Sequence, residues 1–291
     1  MTDTELAPAK VNLFLHVGPP AADGYHPLCS LMVFADVADR LTARPADRFA
    51  LTVTGPFASH APPGEDNLVA RAVRALCARR GAPEPPVELV LEKNVPAGAG
   101  LGGGSADAAA ALRLLAARPA LRCAEPELEA IAAELGSDIP ACVRSRPLIA
   151  EGRGERLGSS PRLPDLPAVL ARPPAAAATA AVYRAFDSDL GSASSGRPAL
   201  PAAIGSAAEA AALLAQCRND LEAPALQVEP RIAEVLQALR AAPETLLGRM
   251  SGSGSACFAL CADAGAAGRL AARLAAAHPD WWVRACVLRG G

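Results

Sequence analysis

Pro96-Ala-Gly-Ala-Gly-Leu-Gly-Gly-Gly-Ser-Ala-Asp-Ala-Ala109 is the stretch on which the reading of this chain turns. Five glycines fall in the seven positions 98–104. Such a run exposes backbone N–H groups and permits positive φ. It leaves Val87 to Glu92 (VELVLE), which alternates as a strand, and enters a strong helix former from about Ser105 to Ala117. A flexible linker would not be bounded so tightly by two regular elements. A helix N-terminus aimed at a glycine loop offers orphan N–H groups and the positive end of the helix dipole, which together cradle phosphate. A Walker A loop requires Gly-Lys-Ser/Thr. Neither lysine of this chain follows a glycine, so that class is excluded. Residues 98–103 match G-x-G-x-x-G, but no acid-terminated second strand follows, as a dinucleotide fold requires.

Outward from the loop, Val11–Val17, Leu28–Val37 and Phe49–Val53 read as strands. Asn67–Arg80 has helical spacing, and Glu127–Leu135 is a short helix stopped by Gly136. Ser137-Asp138, with Pro140 just inside, starts another helix. From Ser159 to Ser206 the chain is rich in Pro, Ala and Ser, with a strand near 168–171, a helix near 180–186 and a long loop near 187–201. Ile232, Val235, Leu236 and Leu239 mark a helix, and Ala256–Cys261, Gly265–Ala277 and Trp282–Leu288 read as strand, helix and strand. Strands and helices mix without regular alternation, so the class is α+β. The change of character sets the expected domains at 1–155 and 156–291.

Composition narrows the function. The 291 residues are 51% hydrophobic and 20% charged, with a net charge of −2. That excludes a disordered chain and disfavours a general nucleic-acid binder. No signal peptide or membrane span is expected, which points to the cytoplasm. The eight cysteines show no metal spacing and read as buried free thiols. Of 28 basic residues only Lys10 and Lys93 are lysines. Codon bias accounts for the ratio, but a lysine that survives it is a candidate for a site needing a compact point charge.

The glycine stretch resembles the phosphate loop of the GHMP kinases. Ala9-Lys10-Val-Asn12, Ala22-Asp-Gly-Tyr-His26, Glu65-Asp-Asn-Leu68, Gly136-Ser-Asp-Ile-Pro140, Glu151-Gly-Arg-Gly-Glu155, Asn219-Asp-Leu-Glu222 and Ser251-Gly-Ser-Gly-Ser255 occur in order along nearly the whole chain. As a set they resemble the 4-diphosphocytidyl-2-C-methyl-D-erythritol kinases of the non-mevalonate isoprenoid pathway. The resemblance implies a two-domain fold, with an N-terminal ATP-binding domain like ribosomal protein S5 and a ferredoxin-like C-terminal domain. It implies ATP-dependent phosphorylation of the substrate's 2-hydroxyl, with Mg²⁺, in a bacterial cytoplasm. The expected partners are ATP and a cytidine-diphosphate sugar alcohol, with no nucleic acid and no membrane, and the expected state is a monomer or weak homodimer.

Residue roles follow from the same resemblance. Asp138 matches the catalytic base, although local sequence alone reads it as an N-cap. Lys10 falls beside that base, where an ammonium lowers the hydroxyl's pKa and offsets charge on the transferring group. Asn12, two residues on, is placed on the same face as Lys10 and positions substrate. Tyr25 and His26 hold the cytosine, and Thr179 and Tyr183 resemble the other side of that sandwich. Asn67 and Leu68 match the adenine-binding pair, with Asn67 also a cap candidate. Lys93 belongs to the adenine end, through side chain or backbone. Pro96, Gly98, Gly100, Leu101, Gly102, Gly103, Gly104, Ser105 and Ala106 form the ATP loop. Ala106 stands where the family shows a second serine, so the metal ligands are not assigned. Asp107 reads as a first-turn helix acid, Gly252 and Gly254 as a second glycine turn, and Asp220 and Glu222 as structural residues. Two alternatives remain: another small-alcohol kinase of homoserine or mevalonate type, and a non-catalytic nucleotide binder. The Asp-Gly-Tyr-His string opposes the first, and retention of Lys10 and Asp138 opposes the second.

Overall fold

The computed structural model describes residues 3–191 and 193–291. It resolves into two compact units that are not contiguous in sequence. The first takes residues up to Lys10, Val37–Ala97 and Gly102–Ser145; the second takes Val11–Asp36, Gly98–Leu101 and Arg146–Gly291. A single cut at 155 does not describe this division. Residue 155 lies in the turn between β5 (Leu148–Gly152) and β6 (Arg156–Ser159), an antiparallel hairpin within the second unit. Two long strands, β1 (Thr4–Val17) and β2 (Leu28–Pro45), contribute residues to both units. Lys10 is therefore well inside a strand rather than at its start.

In the first unit, the later half of β2 pairs antiparallel with β4 (Val87–Glu92), from Arg40 opposite Glu92 to Pro45 opposite Val87. The strand β3 (Ala50–Thr54) runs parallel to β4. The alternation read in VELVLE is real: Val87, Leu89 and Leu91 are buried and their neighbours are not. Four helices complete the unit: α1 (Leu68–Arg80), α2 (Gly103–Ala116), α3 (Glu125–Leu135) and α4 (Ile139–Arg144). The alanines of α2 let it pack closely, and Ala108, Ala109, Ala110 and Ala111 are all fully buried. The helix begins two residues before the expected Ser105, so Gly103 and Gly104 are its first turn.

In the second unit, β7 (Leu166–Arg172) lies between β10 (Trp282–Arg289) and β9 (Cys257–Cys261), with β8 (Thr245–Met250) beyond β9; all three pairings are antiparallel. The first half of β2 pairs with β5. Helices α5 (Thr179–Asp187), α6 (Ala207–Leu214), α7 (Glu222–Val228), α8 (Arg231–Arg240) and α9 (Ala264–Ala277) complete the unit. Its core joins Val169, Val182, Ile232, Leu236 and Leu270. Seven cysteines are buried and one, Cys123, is half-buried; all are free thiols. Burial pushes the Cys142 thiol up to about 12.

Candidate active site

Lys10 and Asp138 meet in the first unit. Lys10 Nζ lies 3.1 Å from Asp138 Oδ2, the lysine buried and the carboxylate partly open. Asp138 does occupy the N-cap position of α4, yet its side chain makes no capping hydrogen bond. The local reading as a cap is thus corrected, because the carboxylate turns to the ammonium instead. Gly102 stands at the N-cap of α2 with φ near +64°, and a Cβ there would lie 3.2 Å from Lys10 Cε. The lysine therefore passes directly against the head of the helix that follows the glycine loop. That helix end carries orphan N–H groups suited to phosphate.

The start of α1 lies close by within the same unit. A Cβ on Gly104 would sit 3.5 Å from Leu68 Cδ1. Asn67 caps α1: its Oδ1 accepts from Val69 N at 2.9 Å, and its Nδ2 donates to the Pro62 carbonyl at 2.9 Å. Ser105 is half-buried in the first turn of α2, and Ala106 is buried.

Lys93 lies at a different kind of place. Its ammonium is 2% exposed and donates to Asp107 Oδ2 at 2.6 Å and to Asp39 Oδ2. Burial works against the charge, but Asp107 and Asp39 hold the lysine's pKa above its ordinary value. Asp39 Oδ1 also accepts from Asn94 N and, at 2.7 Å, from Val95 N. Asp107 is not a first-turn acid, because α2 starts at Gly103 and places it in the second turn. It is buried, its Oδ1 has no partner, and desolvation pushes its carboxyl up to about 8. This cluster ties the strand end before the loop to the helix after it. Of the alternatives for Lys93, its side chain is committed inward, and its backbone N–H donates to the Thr54 carbonyl at 2.8 Å.

The loop tip belongs to the second unit. Ser251 Oγ donates to the Gly100 carbonyl at 3.1 Å, and Ala256 N donates to the Ala99 carbonyl at 2.9 Å. A Cβ on Gly100 would fall 2.3 Å from the Ser251 carbonyl oxygen. So the second glycine turn, with Gly252 and Gly254 both at positive φ, is fitted to the loop tip. Asn12 N donates to Ser251 Oγ at 3.1 Å, and its Nδ2 donates to Ser30 Oγ at 2.7 Å. Asn219 Nδ2 props the same turn through the carbonyls of Met250 and Gly252, each at 2.8 Å. Asp220 accepts from Val17 N and Glu222 from Met250 N.

Also in the second unit, His26 is held between ring and charge. Its Nε2–H donates to Asp187 Oδ1 at 2.6 Å, and Tyr183 and Phe186 lie against its ring. Thr179 Oγ1 and Ser253 Oγ share a hydrogen bond at 2.9 Å. In the glycine loop, Pro96 is buried in the first unit, and Gly98 and Leu101 belong to the second.

Known proteins fit this geometry. The profile described as "GHMP kinases N terminal domain" matches residues 67–146, and "GHMP kinases C terminal" matches 198–280. A 4-diphosphocytidyl-2-C-methyl-D-erythritol kinase of Caulobacter vibrioides is 57% identical over 97% of this chain and 98% of its own length. One from Methylobacterium radiotolerans is 50% identical over 97% and 98%. The chain belongs to the 4-diphosphocytidyl-2-C-methyl-D-erythritol kinase family of GHMP kinases. A crystal structure of a 4-(cytidine 5'-diphospho)-2C-methyl-D-erythritol kinase superposes with a TM-score of 0.77 and 38% identity over 99% of each chain. Homoserine kinase from Cytophaga hutchinsonii shares the fold at a TM-score of 0.70 and 18% identity, over 100% of this chain and 97% of that one.

For this family member, sequence reasoning missed the residues that hold the site residues. Asp39 lies in a long strand without a motif, and Asp187 is the last residue of α5, outside any string read for function. Ser251 and Asn219 sat inside strings already recognised, and small polar residues beside glycine turns are the signal that identifies such props. No helix of the described residues is long and apolar enough to cross a membrane.

Proposed function

We propose that this chain transfers the γ-phosphoryl group of ATP to the 2-hydroxyl of 4-diphosphocytidyl-2-C-methyl-D-erythritol. The observation that carries the reading is Lys10 Nζ at 3.1 Å from Asp138, against Gly102 at the head of α2. Phosphoryl transfer needs positioning and charge stabilisation rather than covalent catalysis by the protein. The Asp138 carboxylate orients the hydroxyl and takes its proton as the new O–P bond forms and the bond to ADP breaks. The Lys10 ammonium lowers the hydroxyl's pKa and offsets charge on the transferring group. The first turn of α2 supplies N–H groups to the phosphates. Asn67 and Leu68 are assigned to the adenine end, and Asn12, Tyr25, His26, Thr179 and Tyr183 to the substrate.

Magnesium fits as an ion that arrives with ATP. Among the described residues no three His, Cys, Asp or Glu side chains converge as a cage. Mg²⁺ in kinase sites is held mainly by substrate phosphates and one or two protein ligands. Ser105 is the hydroxyl we assign to it, where it would neutralise phosphate charge. The working state is proposed to be a monomer or weak homodimer in a bacterial cytoplasm, as suits a chain whose relatives named above are bacterial.

The test is ADP release in a coupled assay, with and without Mg²⁺, on the cytidine substrate, homoserine and mevalonate. Turnover is expected only with the cytidine compound and only with Mg²⁺. Asp138→Asn should bind ATP normally and lower kcat by about 10²- to 10⁴-fold. Turnover of mevalonate or homoserine with the cytidine compound ignored would overturn the reading.

A further inference from the structure

The Glu151-Gly-Arg-Gly-Glu155 string has no role in the site as built so far, yet it reaches Tyr25. Tyr25 is 57% exposed and follows Gly24, whose φ is near +80°. Its backbone N–H donates to Asp23 Oδ1 at 3.0 Å, which fixes the turn but not the ring. The ring is fixed from the hairpin. The guanidinium carbon of Arg153 lies 4.2 Å from the Tyr25 ring centroid. Arg153 in turn is held twice. Its Nη2 donates to Asp23 Oδ2, and its backbone N–H donates to Glu155 Oε2 at 2.6 Å. Gly152 and Gly154 on either side are both at positive φ, which shapes the turn that carries Arg153 across.

A planar cation on one ring face gains from the ring quadrupole. It also stops a solvent-exposed tyrosine from sampling other rotamers. A side chain already held in its bound orientation loses less entropy when a ligand arrives. Only a planar, stackable cation can do both, which is the property that separates arginine from lysine. With one face of Tyr25 occupied by Arg153, a base has the other face to stack on.

We propose that Arg153 is a positioning residue for substrate affinity, which holds Tyr25 as a stacking platform for the pyrimidine ring and is itself steered by Asp23. The inference rests on the kinase reading above. It makes Arg153 act through Tyr25 on binding of the cytidine end, not on the phosphoryl step. Asp23 steers Arg153 through Oδ2, while its Oδ1 accepts from the Tyr25 backbone N–H, a bond that an asparagine at 23 retains.

The experiment is steady-state kinetics on the intact protein, with thermal melting as a check of folding. Arg153→Met keeps length and apolar character but removes charge and planarity. It should raise KM for the cytidine substrate about tenfold, with kcat within twofold and KM for ATP unchanged. Arg153→Lys should fall between the two. Asp23→Asn should raise the same KM severalfold alone and add little when combined with Arg153→Met. A general packing defect would lower the melting temperature and alter both KM values. An unchanged KM for the cytidine substrate in Arg153→Met, or an equal loss in kcat, would overturn the proposal. A wild-type protein that ignores the cytidine substrate overturns the activity reading instead, and is seen before any variant is made.

Discussion

Replacing Lys93 by methionine tests the buried cluster beneath the glycine loop. The ammonium is 2% exposed and faces Asp39 and Asp107, both buried. Deleting one partner of a buried ion pair costs about 3–5 kcal/mol, because it strands the charge left behind. Here the loss has a relief. Asp107 is already pushed from its ordinary 3.8 up to about 8, first by desolvation. It therefore already holds its proton at neutral pH, and removing the lysine strands only the charge of Asp39, which keeps its bonds from Asn94 and Val95. The loss at neutral pH should therefore sit near 3 kcal/mol, and grow as pH rises. The sign in the native protein follows from the raised carboxyl. The folded state holds this proton more tightly than the unfolded chain, so the stabilisation is complete below about pH 4 and is lost as pH climbs through 8. The displacement from 3.8 to about 8 caps that loss at roughly 6 kcal/mol. Asp107→Asn removes the titration and should flatten the decline in stability between pH 5 and 8. The measurement is urea unfolding by circular dichroism at pH 5.5, 7 and 8.5. A Lys93→Met protein within about 1 kcal/mol of the native one at pH 7, or an Asp107→Asn protein with the native slope, would refute the account.

Three further outcomes are expected. Lys10→Arg keeps the charge but spreads it over a planar fork in place of the compact ammonium 3.1 Å from Asp138; kcat should fall at least about 100-fold with the melting temperature nearly unchanged, as a coupled assay and thermal melting would show. Gly100→Ala puts a methyl 2.3 Å from the Ser251 carbonyl oxygen at φ near +73°, and should cost about 2–4 kcal/mol in urea unfolding together with most of the activity. Asn67→Ala should lose about 1 kcal/mol through the broken cap of α1, whereas Asn67→Asp keeps the cap, so a fall in ATP affinity shared by both variants isolates the amide's part in binding.

Where the sequence carried a strong local period, its elements could be read. VELVLE and the Ile232, Val235, Leu236, Leu239 stripe became β4 and α8 within a residue or so. The elements that escaped were those whose order is imposed from elsewhere. The helix α6 is nearly all alanine and leucine, so no face stands out. Its one signal was a capping pair, Ser206 with Glu209, and Ser206 Oγ does accept from Glu209 N at 3.1 Å. The strand β8 contains Gly248, a poor strand former that tertiary pairing with β9 overrides. The hairpin of β5 and β6 carries two glycines at its turn and only short strands, which leaves little periodicity to read. The units themselves could not be read from a linear text, since the loop tip Gly98–Leu101 belongs to one unit and both its flanks to the other.

The two lysines show what composition can say and where geometry must take over. Bias toward arginine explains why most basic positions are arginine, and most of those are on the surface, where either cation would serve. Buried cations face a stricter choice. Arg249 is buried, and its fork donates to three carbonyls, of Leu13, Leu214 and Cys217, at 2.7–2.9 Å. A planar group with five donors can satisfy such spread acceptors, and an ammonium cannot. Lys10 and Lys93 are buried at the opposite kind of place. Each is a single point charge set against carboxylate: Lys10 beside Gly102 and Asp138, Lys93 between Asp39 and Asp107. Both lysines thus stand where a compact cation meets carboxylate, in two different settings. One faces the start of the helix proposed above to take phosphate. The other fixes the end of the strand and the helix between which that loop is strung.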